Sequence, residues 1–207
     1  MNVLNNTLRT IASVMQVPVV ILLIALIFVT VVLIGVVLGE YFTEHKCLKV
    51  ELPKLVDEIN KAEEEIDTCI IESGLLNRQK KVLLELTKHP ELNDQMRESL
   101  AVRLIQEEQE VYDKRVKVSD LVAKLGPILG LLGTLIPLGP GIIALSQGDT
   151  ATLATSLLTA FDTTIAGLIA AGTAMVISNI RNGWYENYMS ILETLMECVL
   201  EVEKRKC

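Results

Sequence analysis

The sequence predicts an all-α membrane protein: three transmembrane helices with cytoplasmic helical extensions, assembling as a ring. Three observations carry that expectation. Half of the 207 residues are hydrophobic while 22% are charged, and the apolar residues are gathered into three blocks separated by charged sequence, which a single soluble core would not require. Lys and Arg fall on one side of these blocks. The second and third blocks also carry small-residue faces of the kind that bring membrane helices together.

The first block, residues 17–39, runs without a charge and at about 1.5 Å per residue covers roughly 34 Å, enough for a ~30 Å hydrocarbon layer. It begins late and ends at Glu40, unlike a cleaved leader with its basic start and short apolar core. Residues 1–16 form an outer N-terminal segment. The second span occupies residues 124–147 and the third 155–180, with an outer turn at 148–154 and Asp162 as the single ionisable residue of the third. So short a connection makes the second and third spans an antiparallel hairpin. The leader offers only Arg9 and the turn no basic residue, whereas thirteen Lys and Arg lie between residues 40 and 120 and four beyond Ile180. Short basic segments stay in the cytoplasm, so the N-terminus is expected outside and the C-terminus inside.

Residues 40–123 read as a cytoplasmic helical region, with apolar residues at helical spacing and breaks at Pro53, Ser73-Gly74 and His89-Pro90. No breaker follows before Gly126, so the last of these helices is expected to run into the second span. Residues 181–207 form a C-terminal helix whose stripe of Trp184, Tyr188, Ile191, Leu192, Leu195, Val199 and Leu200 suits packing on other cytoplasmic helices. The runs around Glu63 to Glu65 and Glu107 to Glu108 read as solvated faces.

Composition excludes several function classes. A net charge of -7 and the absence of a basic cluster argue against nucleic acid as a partner. The sequence holds no paired-cysteine, zinc-helix or serine-elbow motif, so no enzyme, metal or cofactor is expected. His45 and His89 lack ligand-like neighbours, and Cys47, Cys69, Cys198 and Cys207 all fall on the predicted reducing side, where structural disulfides are rare.

Polar groups inside lipid are the remaining pointers. By helical rise, Thr134 and Thr164 each stand about 15 Å into their spans, so their hydroxyls form polar bands at matched depth. Thr155, Thr159, Thr163 and Thr173 are read instead as bonding back to their own helix. Gly126, Gly130 and Gly133 give the second span a small face, and Ala160, Gly167 and Ala171 lie on the side of Thr164 in the third; such faces either pack helices closely or line a narrow passage. Asp162, about 200° around the helix from Thr164, is read as handling an ion directly or as contacting a neighbouring helix or water.

The stretch from Lys124 to Ile180, with GLLGTLIPL in one span and QGDTATLATSLLTAFDTTIAGLIAAGTAMVISNI through the next, resembles the MotA/TolQ/ExbB proton-channel family, and the three-span layout resembles its TolQ/ExbB branch. The resemblance implies a homopentamer around helices of a small single-span ExbD/TolR-like partner, whose membrane aspartate carries the proton. It implies that Thr134 and Thr164 line the ion route and that the proton-motive force, through proton or sodium flow, drives mechanical work. Thr159 stands where ExbB-type members often carry a glutamate, with Asp162 displaced from that register. From the residues alone, the competing reading is a membrane-anchored helical scaffold that recruits a cytoplasmic partner without ion flow.

Overall fold

In a computed structural model, residues 2–45, 51–61, 65–89 and 92–206 are described. Cys47, Cys207, Pro90 and the Glu63-Glu64 pair singled out above lie outside them. Every regular element among the described residues is helical, and three helices are long and apolar enough to cross a membrane. Helix α1 spans Asn2–Glu40 and passes into a π-helical turn at Tyr41–His45. Three short helices follow: α2 (Leu52–Lys61), α3 (Ile66–Glu72) and α4 (Asn77–Thr87). Two long ones complete the chain, α5 (Asp94–Ser146) and α6 (Thr150–Lys206).

The chain divides into two units. The first comprises Met1–Val36 and Lys117–Asn179. Its helices are rich in Val, Ile and Thr, which have only modest helix propensity in water. In lipid a backbone must satisfy its own hydrogen bonds, and the helix is the single-segment solution. Along α1 the buried positions are Val19, Leu23, Leu26, Thr30 and Leu33. That spacing of four and three is a knobs-into-holes seam, while Ile21, Ile24, Phe28 and Val31 stay exposed on the other side.

Helices α5 and α6 approach the turn more closely than the apolar blocks alone suggest, leaving three residues, 147–149, between them. Gly148 supplies the positive φ, at 81°, which a side chain would resist. Asp149 then caps α6, accepting a hydrogen bond from the Thr152 backbone N–H at 3.0 Å. Pro127, Pro137 and Pro140 all lie inside α5 without ending it.

Small residues set the separation of the pair. A Cβ built on Gly126 would lie 2.6 Å from the Gly167 carbonyl oxygen, and one on Gly167 would lie 2.5 Å from the Gly126 carbonyl oxygen. On Gly133 it would meet the Thr163 side chain at 2.6 Å. Lipid tails give apolar helices no reason to associate, so close van der Waals packing of this kind must hold the hairpin together.

The second unit comprises Val37–Val116 and Ile180–Cys207. Leu55 and Ile59 of α2, Ile66 and Ile70 of α3, and Val82, Leu83 and Leu86 of α4 form one core with Leu192, Leu195, Met196, Val199 and Val202 of α6. The C-terminal stripe is therefore an internal packing face, and Glu193, Glu197 and Glu201 remain exposed outside it. Gln79, 2% exposed, joins two elements: its side-chain amide donates to the Tyr188 carbonyl at 2.9 Å while its oxygen accepts from the Leu76 N–H. Cys69 and Cys198 are free thiols, and burial pushes the Cys198 thiol upward in pKa.

Gly126→Ala should lower hairpin stability by ~1–3 kcal/mol, the usual cost of overpacking a close contact. Gly172→Ala, where nothing lies within 4 Å, should be neutral or slightly stabilising. Reversible unfolding in mixed micelles measures both, and equal effects would remove the seam as the cause.

Candidate functional site

The residues singled out in the sequence meet along the α5–α6 seam. Gly133 lies against Thr163 and Gly130 against Thr164, and the antiparallel register then sets Thr134 level with Asp162. Thr164 falls two to three residues further along, about 3–5 Å by helical rise. The two hydroxyls and the carboxylate thus occupy one narrow band, although Asp162 is exposed and Thr164 is half-buried toward α5.

Their hydrogen bonds differ. The Thr164 hydroxyl donates across the seam to the Gly130 carbonyl at 3.5 Å, a long bond that crosses between helices. Thr134 instead donates to Leu131 one turn back in its own helix, at 2.7 Å. Thr155 and Thr159 also bond back locally. Thr163 does so twice, to Thr159 and Ala160. A hydroxyl that donates backwards still offers oxygen lone pairs, so Thr134 retains an acceptor at the band.

Gly126, Gly130, Gly133 and Gly167 face the opposing helix of the same chain, and Ala160 and Ala171 are buried at 3% and 7% exposure. Within one chain these small residues are contacts between the two helices. Leu131, Leu135, Phe161, Ile165 and Leu168 are exposed and give the same band an apolar outer surface.

Two polar features join residues that the sequence pattern does not single out. Near the other end of the seam Ser178, 4% exposed, donates to the Asp120 carboxylate. Asp120 precedes the uncharged run of α5, at the end of the 40–123 region. The second feature is a charged layer in the second unit. Buried Arg181 donates from Nε to Glu40 Oε2 at 2.8 Å and from Nη1 to the Arg115 carbonyl at 3.3 Å. Arg115 reaches Glu40 at 3.4 Å and Glu44 at 3.3 Å, and the Tyr185 hydroxyl donates to Glu40 at 3.2 Å.

Aromatic rings flank this layer. Tyr112 and Tyr185 stack with centroids 4.5 Å apart, and the Arg115 guanidinium lies 6.0 Å from the Tyr112 ring. Burial, reinforced by Glu108 and Glu44, pushes the Tyr112 phenol up to about 12, and burial also raises Tyr188. These phenols stay neutral near pH 7. Tyr41, Phe42 and Trp184 sit alongside, an aromatic grouping of the kind found at membrane boundaries.

Three helices long and apolar enough to cross a membrane, two of them joined by a glycine seam, define a helical membrane protein, and comparison with known proteins identifies the class. The sequence profile of the MotA/TolQ/ExbB proton channel family matches residues 62–194, and the chain belongs to that family. Among curated proteins it is 30% identical over 122 residues to the biopolymer transport protein exbB1 of Vibrio cholerae serotype O1, a match covering 55% of this chain and 52% of that protein. The chain thus spans about half the length of the curated relative it matches.

Glu40→Ala would leave Arg181, 2% exposed, without its carboxylate, and breaking a buried pair from one side costs ~3–5 kcal/mol. Glu40→Leu combined with Arg181→Leu should recover much of that loss. Thermal or denaturant unfolding of the single and double variants measures the coupling, and simple additivity would mean that the pair is energetically idle.

Proposed function

We propose that the chain is the ring-forming subunit of an ion-driven motor in the cell membrane, coupling proton or sodium flow to mechanical work on a partner. The observation that carries this reading is the Thr164 hydroxyl, which reaches across the seam to Gly130 at the level of Thr134 and Asp162. A scaffold would need no polar band there. The ring is a pentamer around helices of a small single-span ExbD/TolR-like subunit, and that subunit's membrane aspartate carries the ion past the hydroxyls. The N-terminus lies outside, while the short helices and the C-terminus are cytoplasmic. One charge crossing 100 mV releases ~2.3 kcal/mol, so a sizeable mechanical step draws on several ions.

Thr164→Val and Thr134→Val keep side-chain shape and remove an oxygen, so ion-coupled work with the partner present should fall sharply while the ring stays assembled. Thr→Ser at either position should be mild. Thr155→Val, which removes a bond confined to one helix, should cost less than ~2 kcal/mol of stability and leave transport intact. Equal losses at all three positions would indicate general packing damage, and unchanged work in Thr164→Val would remove the main support for an ion route.

Direction across the membrane has its own measurement. Single cysteines replacing Asn5 and Gln147 should react with an impermeant maleimide added outside intact cells. Reaction only after the inner face is opened would reverse the topology.

A further inference from the structure

The pairing of Asp120 with Ser178 places a second group of polar side chains on the same seam, away from the hydroxyl band. Asp120 stands fourteen residues before Thr134 on α5, and Ser178 stands fourteen after Thr164 on α6. Fourteen residues are close to four helical turns, about 21 Å, so Asp120 shares a face with Thr134 and Ser178 shares one with Thr164. Between the two levels lie Gly126 and Gly167, where the helices approach too closely for a side chain.

The surroundings of Asp120 set it apart. It is half-buried, and the partner seated on its carboxylate is the neutral hydroxyl of nearly buried Ser178. By contrast, Glu40 is matched by the guanidinium groups of Arg115 and Arg181. Lys117 and Lys124 are exposed on the same stripe of α5, three residues before and four after Asp120. A carboxylate on a helix seam, held by a hydroxyl, has the chemistry to bind and release a cation.

Resting on the motor reading above, we propose that Asp120, oriented by Ser178, is a second ion station on this chain. It takes up the coupling ion at the inner end of the seam, between the hydroxyl band and the cytoplasm. In the proton case a water-borne proton adds to the carboxylate and leaves again to water on the cytoplasmic side, with no other bond made or broken. With sodium, the carboxylate and hydroxyl oxygens act as ligands. Ser178 is a positioning residue in either case.

The first arm of the test uses the unmodified full-length protein in phosphatidylethanolamine–phosphatidylglycerol vesicles. Dicyclohexylcarbodiimide attacks protonated carboxyls in apolar surroundings, and mass spectrometry locates the adduct. Asp120 should be labelled; protection by sodium at fixed pH would assign the ion as sodium. An unlabelled Asp120 would overturn the station.

The second arm measures ion flux in the complex with its partner. Asp120→Asn, which keeps a hydrogen-bonding oxygen for Ser178, should lower flux at least about tenfold with the ring intact, and Asp120→Glu should restore part of it. Ser178→Ala should lower flux about two- to threefold, the effect of losing a weak membrane hydrogen bond. The opposite ranking, with Asp120→Asn tolerated and Ser178→Ala severe, would make the pair a tether and overturn the station. Loss in Thr164→Val beside full flux in Asp120→Asn would overturn the station and leave the motor standing. A complex that carries no ion flux at all would overturn the motor reading, and the station with it.

Discussion

Two helices whose backbones approach until no Cβ fits between them impose the main constraint on this protein. Gly126 and Gly167 each present a carbonyl where the other would carry a side chain, and that contact fixes both the separation and the register of α5 and α6. Register in turn decides which polar groups share a level. In that register the Thr164 hydroxyl meets the Gly130 carbonyl. The polar chemistry of the hairpin is thus a consequence of where side chains are missing.

The second unit follows a different energetic logic. Its core of Leu, Ile and Val from α2, α3, α4 and α6 is assembled by burial of apolar surface from water. The charged layer beside the tyrosines adds little net stability of its own, because desolvation offsets attraction in buried ion pairs. Its effect is to penalise alternatives. With Glu40, Arg115 and Arg181 matched to one another, a slip of α1 along α5 or α6 would leave charges unpaired away from water.

Much of this architecture was legible in the sequence because it depends on local pattern. Charge-free runs mark the long apolar helices, the stripe from Trp184 to Leu200 marks the internal face of α6, and the lack of a breaker before Gly126 marks α5 as one continuous helix. Thr163 and Thr159 behave as isolated-helix reasoning expects, each bonding one turn back. Pairings between distant segments were not legible. Glu40 and Arg181 are separated by 141 residues, and each alone reads as an ordinary charge at the end of an apolar run. Asp120 was not legible for a different reason: Lys124 follows it by four residues and marks the edge of the charge-free run, while α5 continues through both. Thr134 was expected to be set apart by its glycine-rich surroundings, yet its donor is spent on Leu131, a choice of rotamer that spacing does not reveal.

The sequence contains a single tryptophan, Trp184, and the fold places its ring 6.0 Å from that of Tyr41, at 35°, three residues beyond Arg181. All indole emission from the chain therefore originates beside the charged layer. Local polarity there sets the colour of that light, and neighbouring phenols can pass it excitation energy. The protein thus has a built-in optical gauge at the junction of α1 and α6, readable without attaching a dye.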